Sequence, residues 1–314
     1  MSEIVGIGAS VYDTLMVTEG FPVEDTKMQA IETMIQGGGP CATALVAASK
    51  LGVSSEYMGV LSNDTYGTFM LDDFKKYGVG TENIVIKEGY ISAHSFVILN
   101  ARNSSRTCIW NKGTIPEFKQ DEINVNAIKN AKVLHLDGNH LEAAIHAATI
   151  AIENGVKVSL DAGGTYPGID KLLPLVDFLI PSEEFALKIT GESDAEKAAS
   201  ILFNKYKPEV LIVTQGSRGG FIYNGKKYMR YSTFKVNAID TNGAGDVFHG
   251  AFVAAYIKGM DVTKAANFAS AVAALKCTKV GARKSVPTYE DTINFLRGSG
   301  YNEFEKDLEY EEWP

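Results

Sequence analysis

From residue 132 onward the chain alternates short apolar runs with amphipathic stretches. The runs KVLHLDG (132–138), VKVSLDA (156–162), DFLIP (177–181) and EVLIVTQG (209–216) read as strands. The segments 141–154, 182–190 and 193–205 between them read as helices. Alternation of this kind predicts an α/β fold, with a mainly parallel sheet covered by helices on both faces. A first strand is expected at Ile4–Ala9, and a helix at Pro40–Leu51, where proline suits the first helical position. Further helices are expected near 244–258, 262–278 and 288–297. Residues 219–236 read as hairpin chemistry turning at Asn224-Gly225.

A second group of strands departs from that rhythm. Residues 11–35 are β-branched and alternating, with a turn at Pro22. The segments 28–35, 93–100 (AHSFVILN) and 106–110 read as a small antiparallel unit turning at Asn103-Ser104-Ser105. The expected architecture is one α/β domain over 1–314 carrying a β lid, with lid strands from about 11–35 and 90–111. Internal repeats and low-complexity linkers are absent. The acidic tail NEFEKDLEYEEWP reads as a solvated or loosely docked end.

Composition narrows the partners. The chain has 314 residues, 45% apolar and 22% charged, as expected of an ordinary globular protein with a sizeable core. No apolar run is long enough to span a membrane, and MSEIVGIGAS has no basic region ahead of an apolar stretch, so no secretory signal is expected. Cys41, Cys108 and Cys277 lie far apart and form neither a disulfide framework nor a CxxC pattern, which suits a reducing cytoplasm. A net charge of −8 argues against nucleic acid. Phosphate-bearing ligands remain compatible with it, because the local field decides their binding.

The stretch IDTNGAGDVFHGAF (239–252) carries the sharpest chemistry. A helix starting near Ala244 points free amides and its positive dipole end at the crevice beyond the sheet's carboxyl edge. Gly243 and Gly245 leave the backbone bare for a phosphate to approach. An acid at Asp246 beside a phosphate suits a base that accepts a proton from an attacking hydroxyl. Read alone, the same residues also suit a helix cap.

DTNGAGDVFHGAF resembles the DTxGAGDxFxG signature of the ribokinase-like (PfkB) carbohydrate kinases. Three further stretches resemble that family in the same order: GGGPCATALVAASKLG (37–52), VTQGSRGG (213–220) and AVAALKCTKVGARKSVPT (271–288). The resemblance implies a three-layer α/β fold with a lid, and transfer of the γ-phosphoryl group of ATP to a primary sugar hydroxyl. It makes Asp246 the base and the amides of Gly243, Ala244 and Gly245 an anion hole. Asp13 and Gly37, Gly38 and Gly39 would meet the sugar, and Thr214, Gly216, Ser217 and Gly219 would line the ATP site. Asp240, the carbonyls of Asn242, Lys279 and Gly281, and the Ser285 hydroxyl would hold a monovalent cation such as K⁺. Dimerisation through lid strands is also implied, and unpaired strand edges favour it.

Two departures qualify the likeness. Family members carry N-x-x-E before the nucleotide strand to support Mg²⁺; here the segment reads Pro181-Ser182-Glu183-Glu184-Phe185, leaving Glu183 and Glu184 as the acids on offer. Asp161, at a strand end, is a further candidate for a water-mediated role. Ala42 stands where ribokinases place a sugar-contacting asparagine, while GGGPxATA, GDVFHGA, AALKCT and HLDGNH look closer to kinases of fructose-like sugars, sulfofructose included. Lys27 and Arg106 are lid cations suited to an anionic sugar, but Asn139 stands where sulfofructose kinases place an arginine, so sulfofructose stays open without being favoured over an uncharged ketose. Other classes fare worse. GIGASV (6–11) lacks the third glycine and the following helix of a dinucleotide site. A P-loop is absent, and a non-catalytic sugar-binding protein would have no use for the base.

Overall fold

The computed structural model describes residues 1–301; the tail 302–314 and the reading made of it lie outside the described residues. The chain opens with β1 (Ile4–Ile7), β2 (Val11–Thr18), β3 (Glu32–Gly38), α1 (Pro40–Lys50), β4 (Ser55–Tyr57) and β5 (Gly59–Ser62). It continues through α2 (Thr65–Lys76), β6 (Ile84–Lys87), β7 (His94–Asn100), β8 (Ser105–Asn111), α3 (Val125–Lys129) and β9 (Val133–Leu136). Then follow α4 (Leu141–Glu153), β10 (Lys157–Ala162), β11 (Phe178–Pro181), α5 (Glu183–Thr190), α6 (Ala195–Tyr206) and β12 (Val210–Thr214). The hairpin β13 (Gly220–Tyr223) and β14 (Tyr228–Tyr231) precedes α7 (Ala244–Ile257), α8 (Val262–Cys277) and α9 (Tyr289–Gly298).

Eight strands form the main sheet in the order β14-β13-β12-β11-β10-β9-β1-β4. The pairs from β12 to β4 are parallel, and the β13–β14 hairpin closes one edge antiparallel. Alternate side chains build two separate cores. Ile4, Val133, Phe178, Ile180, Val210 and Ile212 pack with α1, α7 and α8. Val5, Ile7, Leu134, Leu136, Val158 and Leu160 pack with α4, α5 and α6. Burial on both faces is why these strands read as continuous apolar runs. Among the described residues no helix is long and apolar enough to cross a membrane.

A second sheet has the order β3-β2-β7-β8. Its outer pairs are antiparallel, but the central β2–β7 pair is parallel, which corrects the all-antiparallel unit expected from the sequence. The reason is topological. β2 and β7 both leave the hinge end, where the Tyr12 amide donates to the Ala93 carbonyl at 3.0 Å, and so run in the same direction. The strand expected at 28–35 lies at Glu32–Gly38, so Gly37 and Gly38 belong to a strand rather than to a loop. The short parallel pair β5–β6 had no counterpart in the sequence reading.

A buried ion pair joins this hinge to the C-terminal helices. Arg283 donates to Asp73 Oδ2 and to the Gly38 carbonyl, each at 2.6 Å, and stacks over Phe74. Arg283→Met is expected to destabilise the protein by about 3–5 kcal/mol, because it strands the Asp73 carboxylate in the interior. Urea unfolding of the two proteins measures the difference.

Candidate active site

The carboxyl edge of the main sheet gathers Asp137 after β9, Asp161 in β10, Ser182 after β11 and Thr214 ending β12. α7 begins at the same edge. Its entry is set by Gly243, whose φ of 74° is left-handed and whose missing Cβ leaves room for Ala282. A Cβ on Gly245 would meet nothing within 4 Å, so its backbone faces open space. In the first turn of α7 the Ala244 amide donates to the Thr241 carbonyl at 3.2 Å, and the Gly245 amide lies at the open end of the helix beside Asp246. Burial, reinforced by the Asp161 carboxylate, pushes the Asp246 carboxyl up to about 7; His249 and Arg106 pull the other way.

Beneath Asp246 lies a cluster that the sequence reading found only in part. His249, three residues along α7, approaches Asp161 with Nε2 3.2 Å from Oδ1. Burial would raise the Asp161 carboxyl, but the neighbouring His249 holds it below its ordinary value. Burial, then His249, pushes His135 down to about 3, so this imidazole is neutral. His249 stood in the quoted motif, but its spacing from Asp246 alone did not separate a core histidine from a partner.

Asp13, buried in β2, accepts a 2.6 Å hydrogen bond from Ser95 on β7, and burial raises its carboxyl. The glycine signature has a packing cause at each position. A Cβ on Gly37 would fall 2.0 Å from Arg283, and one on Gly38 would fall 2.0 Å from Asp13 Oδ2. At Gly39, φ is 92° and the Ala9 carbonyl fills the space. These glycines thus make room for the protein groups packed against them. Asp137, not singled out before, ties the region together by accepting from the amides of Ala9, Cys41 and Asn139. The Asn139 side chain donates to Asp137 Oδ1 at 3.0 Å and to the Tyr166 hydroxyl at 3.4 Å. The Ser10 hydroxyl and the Gln36 amide nitrogen are buried without a protein partner among the described residues.

The two lid cations occupy different places. Arg106, on β8, influences Asp246, and the Ser104 hydroxyl donates to the Ala238 carbonyl at 2.9 Å, bringing this hairpin tip against the chain before Asp240. Lys27 lies exposed in the β2–β3 connection.

On the other side, Thr214 and the exposed Gly216 and Ser217 form a short turn after β12. Gly219 is buried at φ 81°, its carbonyl accepting from Gln215 and Tyr231, so it shapes this turn. Glu183 is occupied by Gln215 and Arg218. Glu184 is exposed, and Phe185, the third residue after Ser182, is buried. Ser182 instead caps α5 through the Phe185 amide. The N-x-x-E likeness is therefore lost, and the described residues contain no group of three or more acidic, His or Cys side chains able to hold a metal.

The loops at 240–242 and 279–285 meet as the resemblance implied. Asp240 Oδ1 accepts from the Asn242 amide and Oδ2 from the Gly281 amide, each at 2.8 Å, while Ser285 donates to the Gly281 carbonyl. A residue not singled out completes the group. Lys276 of α8 donates from Nζ to the Asp240 carbonyl at 2.8 Å and lies 3.8 Å from Oδ2, with both side chains at 0% exposure. Burial lowers the Lys276 pKa and Asp240 opposes the shift. A free K⁺ does not fit this donor set. The Lys276 ammonium already places a positive charge against both the carbonyl and the carboxylate of Asp240. Lys276 was legible in principle, since it continues the buried face of Ala265, Phe268 and Val272 at helical spacing.

The family model for pfkB family carbohydrate kinase matches residues 1–289. The ribokinase of Haemophilus influenzae is 32% identical over 269 residues, covering 82% of this chain and 87% of its own. The 5-dehydro-2-deoxygluconokinase of Shouchella clausii is 27% identical over 313 residues, covering 92% and 94%. Among solved structures, the ribokinase of Arabidopsis thaliana, complexed with ribose and ATP, superposes with a TM-score of 0.82 at 25% identity, covering 95% of this chain and 99% of that one. The chain belongs to the pfkB family of carbohydrate kinases, ATP-dependent phosphotransferases of ribokinase-like fold.

Proposed function

We propose that this kinase phosphorylates a primary hydroxyl of an uncharged ketose or furanose sugar, with Asp246 as the base. The observation that carries this reading is the recessed Asp246 carboxyl, set beside the open backbone of Gly245 at the start of α7. The Asp246 carboxylate takes the proton of the sugar hydroxyl as that oxygen bonds to the γ-phosphorus. The bond from phosphorus to the β-phosphate oxygen breaks, and ADP leaves. The amides of Gly243 and Gly245, with the dipole of α7, face the charge carried by the transferring group, while the Ala244 amide is held by the Thr241 carbonyl. Arg106, whose charge favours the ionised Asp246, is assigned to the phosphoryl side. Asp13, the Oδ1 oxygen of Asn139 and the unpartnered Ser10 and Gln36 groups suit sugar hydroxyls. MgATP is the co-substrate, with Mg²⁺ held chiefly by the ATP oxygens and water. The turn Thr214–Gly219 is assigned to the nucleotide.

Asn139 favours an uncharged sugar, because its amide is already spent on Asp137 and Tyr166 and offers no cation. ADP release from MgATP over fructose, tagatose, ribose, fructose 6-phosphate, sulfofructose, 2-keto-3-deoxygluconate and a nucleoside tests the assignment. Turnover of an uncharged ketose or pentose supports it. Turnover of anionic sugars alone overturns that part and promotes Arg106 and Lys27.

A homodimer through the second sheet and a reducing compartment complete the proposal. Ile35, Phe96 and Ile109 lie in one cross-strand row with Thr14 between Ile35 and Phe96; the three are about half exposed, and such a face suits a partner. Light scattering is expected to give twice the chain mass for the wild type and the monomer for Phe96→Glu. The three cysteines are free, with Cys108 exposed, as a reducing cytoplasm allows.

A further inference from the structure

We infer that the Lys276 ammonium is a tethered counter-cation for Asp240, which makes this kinase independent of added monovalent cation. The inference rests on the kinase reading and deepens it. Asp240 is a carboxylate at 0% exposure, and its two oxygens hold the amides of Asn242 and Gly281. It thereby pins together the loop leading into Gly243–Gly245 and the loop carrying Ala282 and Arg283. A buried carboxylate needs a positive charge close by. Lys276 supplies one from the last turn of α8, where the negative end of the helix also favours a cation. Its Nζ reaches the Asp240 carbonyl at 2.8 Å and the carboxylate at 3.8 Å.

A diffusible ion would first have to displace the Lys276 ammonium, which already lies against the Asp240 carbonyl and carboxylate. A charge on a covalent stem needs no such change and no ion concentration in solution. Lys276 touches neither sugar nor phosphate in this assignment. It is a positioning residue that acts through Asp240 on the loop before α7.

The test compares initial rates in KCl and in tetramethylammonium chloride at equal ionic strength, for wild type, Lys276→Ala and Lys276→Met. Wild-type rates are expected to be the same in both salts. Lys276→Ala, which opens space beside Asp240, is expected to lose about 10–100-fold in tetramethylammonium and to recover in K⁺. Lys276→Met fills that space without charge and is expected to be slow in both salts. Thermal unfolding gives a readout independent of turnover: K⁺ is expected to raise the midpoint of Lys276→Ala and leave the wild type unmoved. Activation or thermal stabilisation of the wild type by K⁺ overturns the inference, and this holds even if neither variant folds. Wild-type rates in Lys276→Ala in both salts overturn it as well. If the wild type turns over no sugar, the kinase assignment fails, while the thermal comparison still decides the role of Lys276.

Discussion

Asp246→Asn is expected to lower kcat by about 10²–10⁴-fold while leaving the affinity for MgATP and sugar nearly unchanged. Asparagine keeps the shape of the side chain and removes only its capacity to take a proton. Rapid-mix measurement of ADP formation, with calorimetric binding of each substrate, separates that loss from a binding defect. The raised carboxyl of Asp246 also sets the pH profile. With a pKa of about 7, the base is protonated in acid, so wild-type kcat/KM is expected to fall in step with the carboxylate fraction below neutrality. The sign for stability is opposite. A carboxyl raised in the folded state loses stability as pH climbs from its unfolded value through about 7. Asp246→Asn removes that cost, so its melting point is expected to exceed the wild type's by more at pH 8 than at pH 5. Thermal scans at the two values measure the difference.

Asp13→Ala is expected to reduce kcat/KM for the sugar by about 10²–10⁴-fold, since each hydrogen bond to a charged acceptor contributes about 1.5–3 kcal/mol and this carboxylate has room for two hydroxyls. The loss falls on the sugar side, and the affinity for MgATP is expected to stay at the wild-type value. Ser95→Ala removes the hydroxyl that orients Asp13 and should cost less. Gly38→Ala provides an independent check, because its Cβ would displace the same carboxylate without changing its charge. An unchanged sugar KM in both Asp13→Ala and Gly38→Ala would remove Asp13 from the sugar site.

The regular part of the fold was legible because both faces of the main sheet are covered. Strands such as Val133–Leu136 and Val210–Thr214 are largely apolar and buried almost throughout, and the helices between them carry a clean 3.6-residue rhythm. The second sheet was legible in its strands but not in its directions. Nothing in Val11–Thr18 or His94–Asn100 records that both leave from one hinge, 75 or more residues apart in the chain. In the candidate site, Asp246 and Asp13 stood out through motif and position. Asp137, His249, Lys276 and Arg283 did not, because their meaning lies in partners distant in sequence: Ala9 and Cys41, Asp161, Asp240, and Asp73. Gly37 and Gly38 show the same limit from the other side. Their pattern was visible, but its cause is two carboxylates and a guanidinium occupying the places of their missing Cβ atoms.

The central claim is that Asp246 accepts the proton of a primary sugar hydroxyl during transfer from ATP. Phosphorus NMR of a single reaction mixture containing MgATP and the preferred sugar tests it most directly. The account predicts a phosphomonoester signal split by the two hydrogens of a CH₂ group, appearing in step with ADP for the wild type and absent over the same period for Asp246→Asn. Inorganic phosphate as the only product, or the same ester formed equally fast by Asp246→Asn, would contradict it.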